Sequence, residues 1–184
     1  VAGMKDGQDA IYYITGEDLE ALRHSPQLEG FVARGLEVLL LSDPIDEFWV
    51  TAVPDYDGKP FKSITRGDID LGAFKADGDD GEAEEKPPLA EGMDALVVVL
   101  REALGEAVKD VRTSERLTDS AVCLIADEGA LDMRLERLLR EHKQLGQAAQ
   151  KILEINPRNP LITALAARAK ASPTDPALAE AAQL

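Results

Sequence analysis

Leu36-Glu37-Val38-Leu39-Leu40-Leu41 is a short β-branched and leucine-rich run that follows a glycine, Gly35, and precedes Ser42-Asp43-Pro44. A run of this length bounded by turn residues reads as a buried strand, and its neighbours decide what kind of sheet it joins. Upstream, Ile11-Tyr12-Tyr13-Ile14-Thr15 is a second strand-like run, ended by Gly16. Between them Ser25-Pro26 supplies a helix N-cap and a first-turn proline, and Gly35 is placed to end that helix. Downstream, Asp43-Pro44 opens a short helix carrying Ile45, Phe48 and Trp49, Val53-Pro54 stops it, and Phe61-Lys62-Ser63-Ile64-Thr65 is a third strand. Strands separated by helical segments predict parallel crossover units, with the sheet covered by helices. Residues 1–76 therefore read as a small parallel-sheet α/β unit.

Residues 77–88, Asp77-Gly78-Asp79-Asp80-Gly81-Glu82-Ala83-Glu84-Glu85-Lys86-Pro87-Pro88, break the pattern. Six acids and one base fall within 77–86, without apolar periodicity, so the stretch reads as a solvated acidic linker. It fails as a calcium loop. Counting from Asp77, the fifth position is Gly81 and the sixth Glu82, which misplaces both the third ligand and the turn glycine.

Residues 89–184 follow as a mixed α+β domain. Met93, Leu96, Val97, Leu100 and Leu104 make a helical stripe; Val108 to Arg112 and Ala121 to Ala126 are candidate strands. Leu131, Leu135, Leu138, Leu139 and His142 form the next helical face, with Met133 nearly opposite beside Arg134, Arg137 and Arg140. Lys151 to Ile155 fits a strand or a helix end equally. Asn159-Pro160 and Asp175-Pro176 each give a cap followed by a first-turn proline, opening two further helices. The fold class is thus a small parallel-sheet α/β subdomain followed by a mixed α+β domain. Val1-Ala2-Gly3, without an initiator Met, and the alanine-rich helix running to Leu184 read as the two ends of an excised piece.

Composition limits the function. The chain has 184 residues, 35 acids against 20 Lys and Arg, and a net charge of −15, which disfavours attraction to nucleic acid or anionic membranes. No apolar run approaches the ~20 residues of a membrane span. One cysteine, Cys123, makes neither an internal disulfide nor a multi-cysteine zinc site, and a reduced, cytoplasmic setting fits. Phosphate-loop, dinucleotide-loop and nucleophile-elbow motifs are lacking. His24 and His142 lie in separate helical segments, without a histidine four residues on, and read as surface or helix-end residues. Cys123 reads as a small hydrophobe inside a strand. Acidic pairs such as Asp46 and Glu47 read as solvated faces. No catalytic or metal-ligating residue is assigned.

Two features point to binding instead. Phe48 and Trp49 are consecutive on one short helix, about 100° apart, so both need not face the same core. Either one is buried and the other covers it, or the pair is an exposed aromatic contact. Met133, among arginines, is either an accident of an outer face or a polarisable anchor for irregular apolar partners.

Particular strings then identify a relative. Met4-Lys5-Asp6-Gly7-Gln8, Ile11-Tyr12-Tyr13-Ile14-Thr15-Gly16-Glu17, Gly35-Leu36-Glu37-Val38 and Pro44-Ile45-Asp46-Glu47 resemble, in order, the late middle domain of the ninety-kilodalton heat-shock chaperones. Ser114-Glu115-Arg116-Leu117-Thr118 and Leu153-Glu154-Ile155-Asn156-Pro157 resemble that family's C-terminal domain. The short linker is similar to the bacterial branch, the high-temperature protein G type. The resemblance implies part of an ATP-driven homodimeric chaperone: the end of the middle domain and most of the C-terminal domain, cut before the final dimerisation helices. ATP and Mg would bind outside this piece, which itself would hydrolyse nothing and would dimerise weakly. Its partners would be unfolded or partly folded client proteins and, in the intact protein, a second copy of itself. Client contact would fall to an aromatic at Phe48 with Trp49 adjacent, and to Met133. Arg137 stands where some relatives have a second methionine, and Leu138 offers apolar surface beside it. On the residues alone, a small acidic α/β enzyme with convergent carboxylates or an adaptor for one folded partner are the other readings.

Overall fold

The computed structural model describes residues 3–67, 69–74, 89–127, 130–143 and 148–183; the expected acidic linker lies outside them. The first sheet contains β1 (Ile11–Thr15), β2 (Val38–Leu41), β3 (Asp55–Tyr56) and β4 (Lys59–Ser63), in the order β2-β1-β4-β3. β1 is central and runs parallel to both β2 and β4, with Tyr13 opposite Leu39 on one side and Ser63 on the other. The expected parallel crossover arrangement is present. Its core gathers Tyr12, Ile14, Leu22, Leu28, Phe31, Leu36 and Ile64, and Tyr12 meets Phe31 edge to face at 5.1 Å between ring centres.

Local chemistry explains the helices. Asp18 accepts from Ala21 N at 2.9 Å and so caps α1 (Leu19–Arg23), the helical segment that ends at His24. Ser25-Pro26 opens a 3₁₀ turn at Pro26–Leu28, which runs into α2 (Glu29–Val32). Gly35 adopts φ +58°, and Leu36 N donates back to Phe31 O at 2.9 Å, closing the helix where the sequence placed its end.

Two strand expectations are corrected. The run at 36–41 is half-exposed from residue 38 onward, with Leu39 43% exposed, because β2 is an edge strand. The third strand begins at Lys59, two residues earlier than Phe61, because Asp57 and Gly58 both take positive φ and fold Asp55–Tyr56 back antiparallel onto it. One edge of the sheet is therefore a hairpin.

The second sheet is built from β5 (Val108–Thr113), β6 (Val122–Ile125) and β7 (Lys151–Ile155), in the order β5-β7-β6. Lys151 to Ile155, ambiguous by periodicity, is the central strand, parallel to β5 and antiparallel to β6. Helices α4 (Met93–Leu104), α6 (Pro160–Ala171) and α7 (Pro176–Ala181) cover it through Met93, Leu96, Leu100, Ile162, Ala166 and Leu178. The two proline-opened helices are capped as expected: Asn159 and Asp175 each accept from a first-turn N–H at 3.0 Å.

A polar seam joins the two sheets. Ala126 N donates to Thr65 O at 2.8 Å and Gly67 N to Ala126 O at 3.1 Å, a single parallel bridge between them. Arg116, almost fully buried, donates to Ile64 O at 2.7 Å and Arg66 O at 3.1 Å, and its Nε lies 3.0 Å from the buried Glu154 carboxylate. Glu29 reaches across to the consecutive N–H groups of Thr118, Asp119 and Ser120 at 2.7, 2.9 and 3.1 Å. Burial alone would raise the Glu29 pKa, but these donors outweigh it and hold the carboxyl below the ordinary glutamate value. Such a depressed group stabilises the fold above the unfolded pKa, about 4.3 for glutamate. That contribution is lost as pH falls through the lower folded value. Glu29→Gln is expected to cost about 1–3 kcal/mol at pH 7 and progressively less below about pH 4, read by urea denaturation across pH. A penalty that does not shrink on acidification would contradict the assignment.

Candidate functional site

The short helix α3 (Asp46–Ala52) starts with a reciprocal cap: Asp43 Oδ1 accepts from Ile45 N, and Asp46 Oδ2 accepts from Asp43 N, each at 3.1 Å. Its inward positions are Glu47 and Val50. Phe48 is 55% exposed and Trp49 40% exposed, so neither aromatic is the buried member of the pair. Trp49 leans edge-on against Phe61 of β4 at 5.1 Å, which fixes one ring while leaving the other in solvent. The helix has placed its carboxylate inside and its aromatics outside. Glu47 is 1% exposed, which overturns its reading as part of a solvated acidic face.

The reason lies on α5 (Met133–Glu141). Asp132 caps this helix, Oδ1 accepting from Arg134 N at 3.0 Å, and is itself buried. The same carboxylate accepts from Thr15 Oγ1 at 3.4 Å and Ser63 Oγ, on strands of the first sheet, and from Thr65 Oγ1 at 2.8 Å, in the turn after β4. Arg134 then points at α3, with Nε 3.2 Å from Glu47 Oε1. The two are in charge contact but off the hydrogen-bonding axis. Among the described residues, Glu47 Oε1 and Arg134 Nε and Nη1 find no hydrogen-bond partner. Burial is the main cause of a raised Glu47 pKa; the Asp132 charge adds to it, while a Thr15 hydrogen bond and Arg134 oppose it. Tyr13 beneath this cluster is pushed up to about 12, first by burial and then by Asp132.

This arrangement corrects the expected orientation of α5. Its buried residue is Glu136, which pairs with Lys151 and accepts from Ala149 N at 2.9 Å. Leu131 is exposed, and Leu135, Leu138 and Leu139 are only half-buried. The helix docks through charged and polar groups, so its leucine stripe did not report the buried face. Met133 is half-buried, with Gln27 Nε2 3.7 Å from its sulfur and donating also to Leu124 O at 2.7 Å. Arg137 and Arg140 remain exposed. The elements bearing Phe48, Trp49, Met133 and Leu138 are thus brought together, with the Glu47–Arg134 contact between α3 and α5.

Elsewhere the surface offers little for catalysis. A cleft of about 410 Å³ at the seam is lined by Ile69, Leu71, Arg112, Glu115, Arg116 and Glu154. Its deepest carboxylate, Glu154, is held by Arg112 at 2.9 Å and Arg116 at 3.0 Å, a structural use. His24 caps α1 and His142 caps α5, as helix-end residues do. Cys123 is buried in β6, and burial, assisted by the Glu154 charge, pushes its thiol up to about 12. Alkylation of the folded chain near pH 7.5 is expected to be about a thousandfold slower than in urea, measured by mass spectrometry. Comparable rates in the two states would place the thiol at the surface.

The described residues contain no metal-binding cluster of His, Cys, Asp or Glu and no helix long and apolar enough to cross a membrane. The family model for Hsp90 protein matches residues 1–184. The chain belongs to the Hsp90 protein family. It is 56% identical to the chaperone protein HtpG of Paramagnetospirillum magneticum over the whole chain. Against the proteins of that name from Azorhizobium caulinodans and Roseobacter denitrificans it is 56% and 50% identical, over 91% and 100% of its length. It spans only 26–30% of the length of these curated relatives. For this Hsp90-family chain the fold class and the bacterial kinship follow the sequence reading. The buried carboxylates Glu47, Asp132 and Glu136 and the half-buried Arg134 that orient the surface were not foreseen. The available signal was a charged residue standing where helical periodicity faces inward, as Glu47 does three residues before Val50.

Proposed function

We propose that this chain is the client-contacting, noncatalytic portion of an ATP-driven, homodimeric chaperone of the bacterial cytoplasm. ATP and Mg would be held by parts of the protein outside these residues, and the intact protein would be the ATPase. The observation that carries the reading is the display of Phe48 and Trp49 in solvent on a helix tied to the Met133 helix. Small apolar contacts set among charges favour weak, distributed capture of unfolded segments without strict sequence demands. A helix anchored inward through Glu47 and Arg134 keeps its aromatics outward. ATP-linked rearrangement of the full dimer would alter which of these patches is available.

The test is an NMR titration of the isotope-labelled chain with an unfolded client. Shifts are expected on α3 and α5, and Phe48→Ala, Trp49→Ala and Met133→Ala together should abolish most of them. Shifts confined to other elements, or unchanged in the triple variant, would remove this surface from client contact.

A further inference from the structure

The two elements of the proposed contact surface carry opposite charge. From Asp43 to Gly58 the chain has five acids and no Lys or Arg. Glu47 is turned inward to Arg134, leaving Asp43, Asp46, Asp55 and Asp57 around Phe48, Trp49 and the exposed Tyr56. The two ammonium groups of β4 have partners elsewhere: Lys59 donates to Gln8 O at 2.9 Å, and Lys62 lies 3.6 Å from Asp9. On α5 the balance reverses. Glu136 is buried on Lys151, so the outward charges are Arg137, Arg140 and the following Lys143 against Glu141 alone, which lies 3.1 Å from Arg137. A strongly acidic chain thus presents a basic helix beside an acidic, aromatic ridge.

We propose, resting on the client-contact reading above, that this surface selects extended segments whose apolar core has basic residues at one end and acidic residues at the other, and that it orients them. The basic end lies along α3 and the β3–β4 hairpin, and the acidic end along α5. Complementary charge placed at the two ends of an apolar patch sets orientation more than affinity, because opposed placements juxtapose like charges. The exposed charges are screened by salt, so the preference is strongest at low ionic strength.

The experiment uses a peptide with a central block of Leu, Val and Phe, a lysine block at one end and a glutamate block at the other. A nitroxide label is attached at either end, and amide broadening is read on the 184-residue chain. A label at the lysine end is expected to broaden residues 46–59, and one at the glutamate end residues 133–143. In the Arg137→Glu, Arg140→Glu variant the difference between the two labels should be lost. Equal broadening from both labels, or the reverse pattern, overturns the oriented reading while leaving client contact intact. A peptide that shifts neither Phe48, Trp49 nor Met133 overturns both.

Discussion

Arg116→Ala is expected to destabilise the chain by about 3–5 kcal/mol, a large share of the ~5–15 kcal/mol that holds a domain folded. The guanidinium is 4% exposed and meets four demands at once: a charge partner at Glu154, carbonyls at Ile64 and Arg66, and the filling of the seam between the two sheets. Its removal leaves Glu154, equally buried, with the Ser114 hydroxyl at 2.8 Å and, as a charge partner, Arg112, whose side chain is 39% exposed. It also strands two carbonyls that water reaches poorly. Lysine should not rescue, because one ammonium cannot reproduce a planar fork serving three acceptors. Glu154→Gln tests the charge separately. It keeps an acceptor and should cost less than Arg116→Ala if the arginine's carbonyl contacts matter independently. Urea denaturation followed by circular dichroism gives both values. A loss below about 1 kcal/mol for Arg116→Ala would show that the seam does not depend on it.

Gly92→Ala is the second large effect. Gly92 precedes α4 at φ +88°, and a Cβ built there would lie 2.2 Å from Ala166 O and 2.8 Å from Lys170 Cβ, both on α6. Left-handed backbone alone costs an alanine about 1–2 kcal/mol. Pushing α6 off α4 adds about 1–3 kcal/mol of overpacking, since the obstacle is backbone and cannot rotate away. A drop of roughly 2–4 °C in melting temperature accompanies each kcal/mol for a chain of this size. Gly58 is the internal control. It too has positive φ, +72°, but nothing stands within 4 Å of its Cβ, so Gly58→Ala should show the backbone cost alone. Equal losses at the two positions would mean that α4 and α6 are not packed as tightly as described.

Much of the architecture was readable because apolar periodicity and end signals agreed. Met93, Leu96 and Leu100 are buried on one face of α4, and Asn159-Pro160 and Asp175-Pro176 open helices where they should. Reading failed where polar groups did the packing. Leu131, Leu135, Leu138 and Leu139 suggested the buried face of α5, yet the helix is held by Asp132, Arg134 and Glu136, whose partners lie on distant parts of the chain. Hydrophobic spacing carries no information about such long-range pairing. Residues 151–155 were undecidable for a related reason: a central strand flanked on both sides is defined by its neighbours, β5 and β6, more than by its own five residues. Of the candidate surface, Phe48 and Trp49 were legible as residues, while their exposure depended on Glu47 occupying the inward position, where Arg134 and Thr15 meet it.

The bridge at Ala126 and the Gln27 contact to Leu124 O also bear on the free edge of the second sheet. β6 is an outer strand with Val122 and Leu124 each 43% exposed, the type of edge onto which a foreign strand can pair and from which aggregation can seed. Here the Leu124 carbonyl is already taken by Gln27, and two residues on, just past the strand, the N–H and C=O of Ala126 are taken by Thr65 and Gly67. Backbone groups at this end of β6 are thereby withheld from any strand pairing with it.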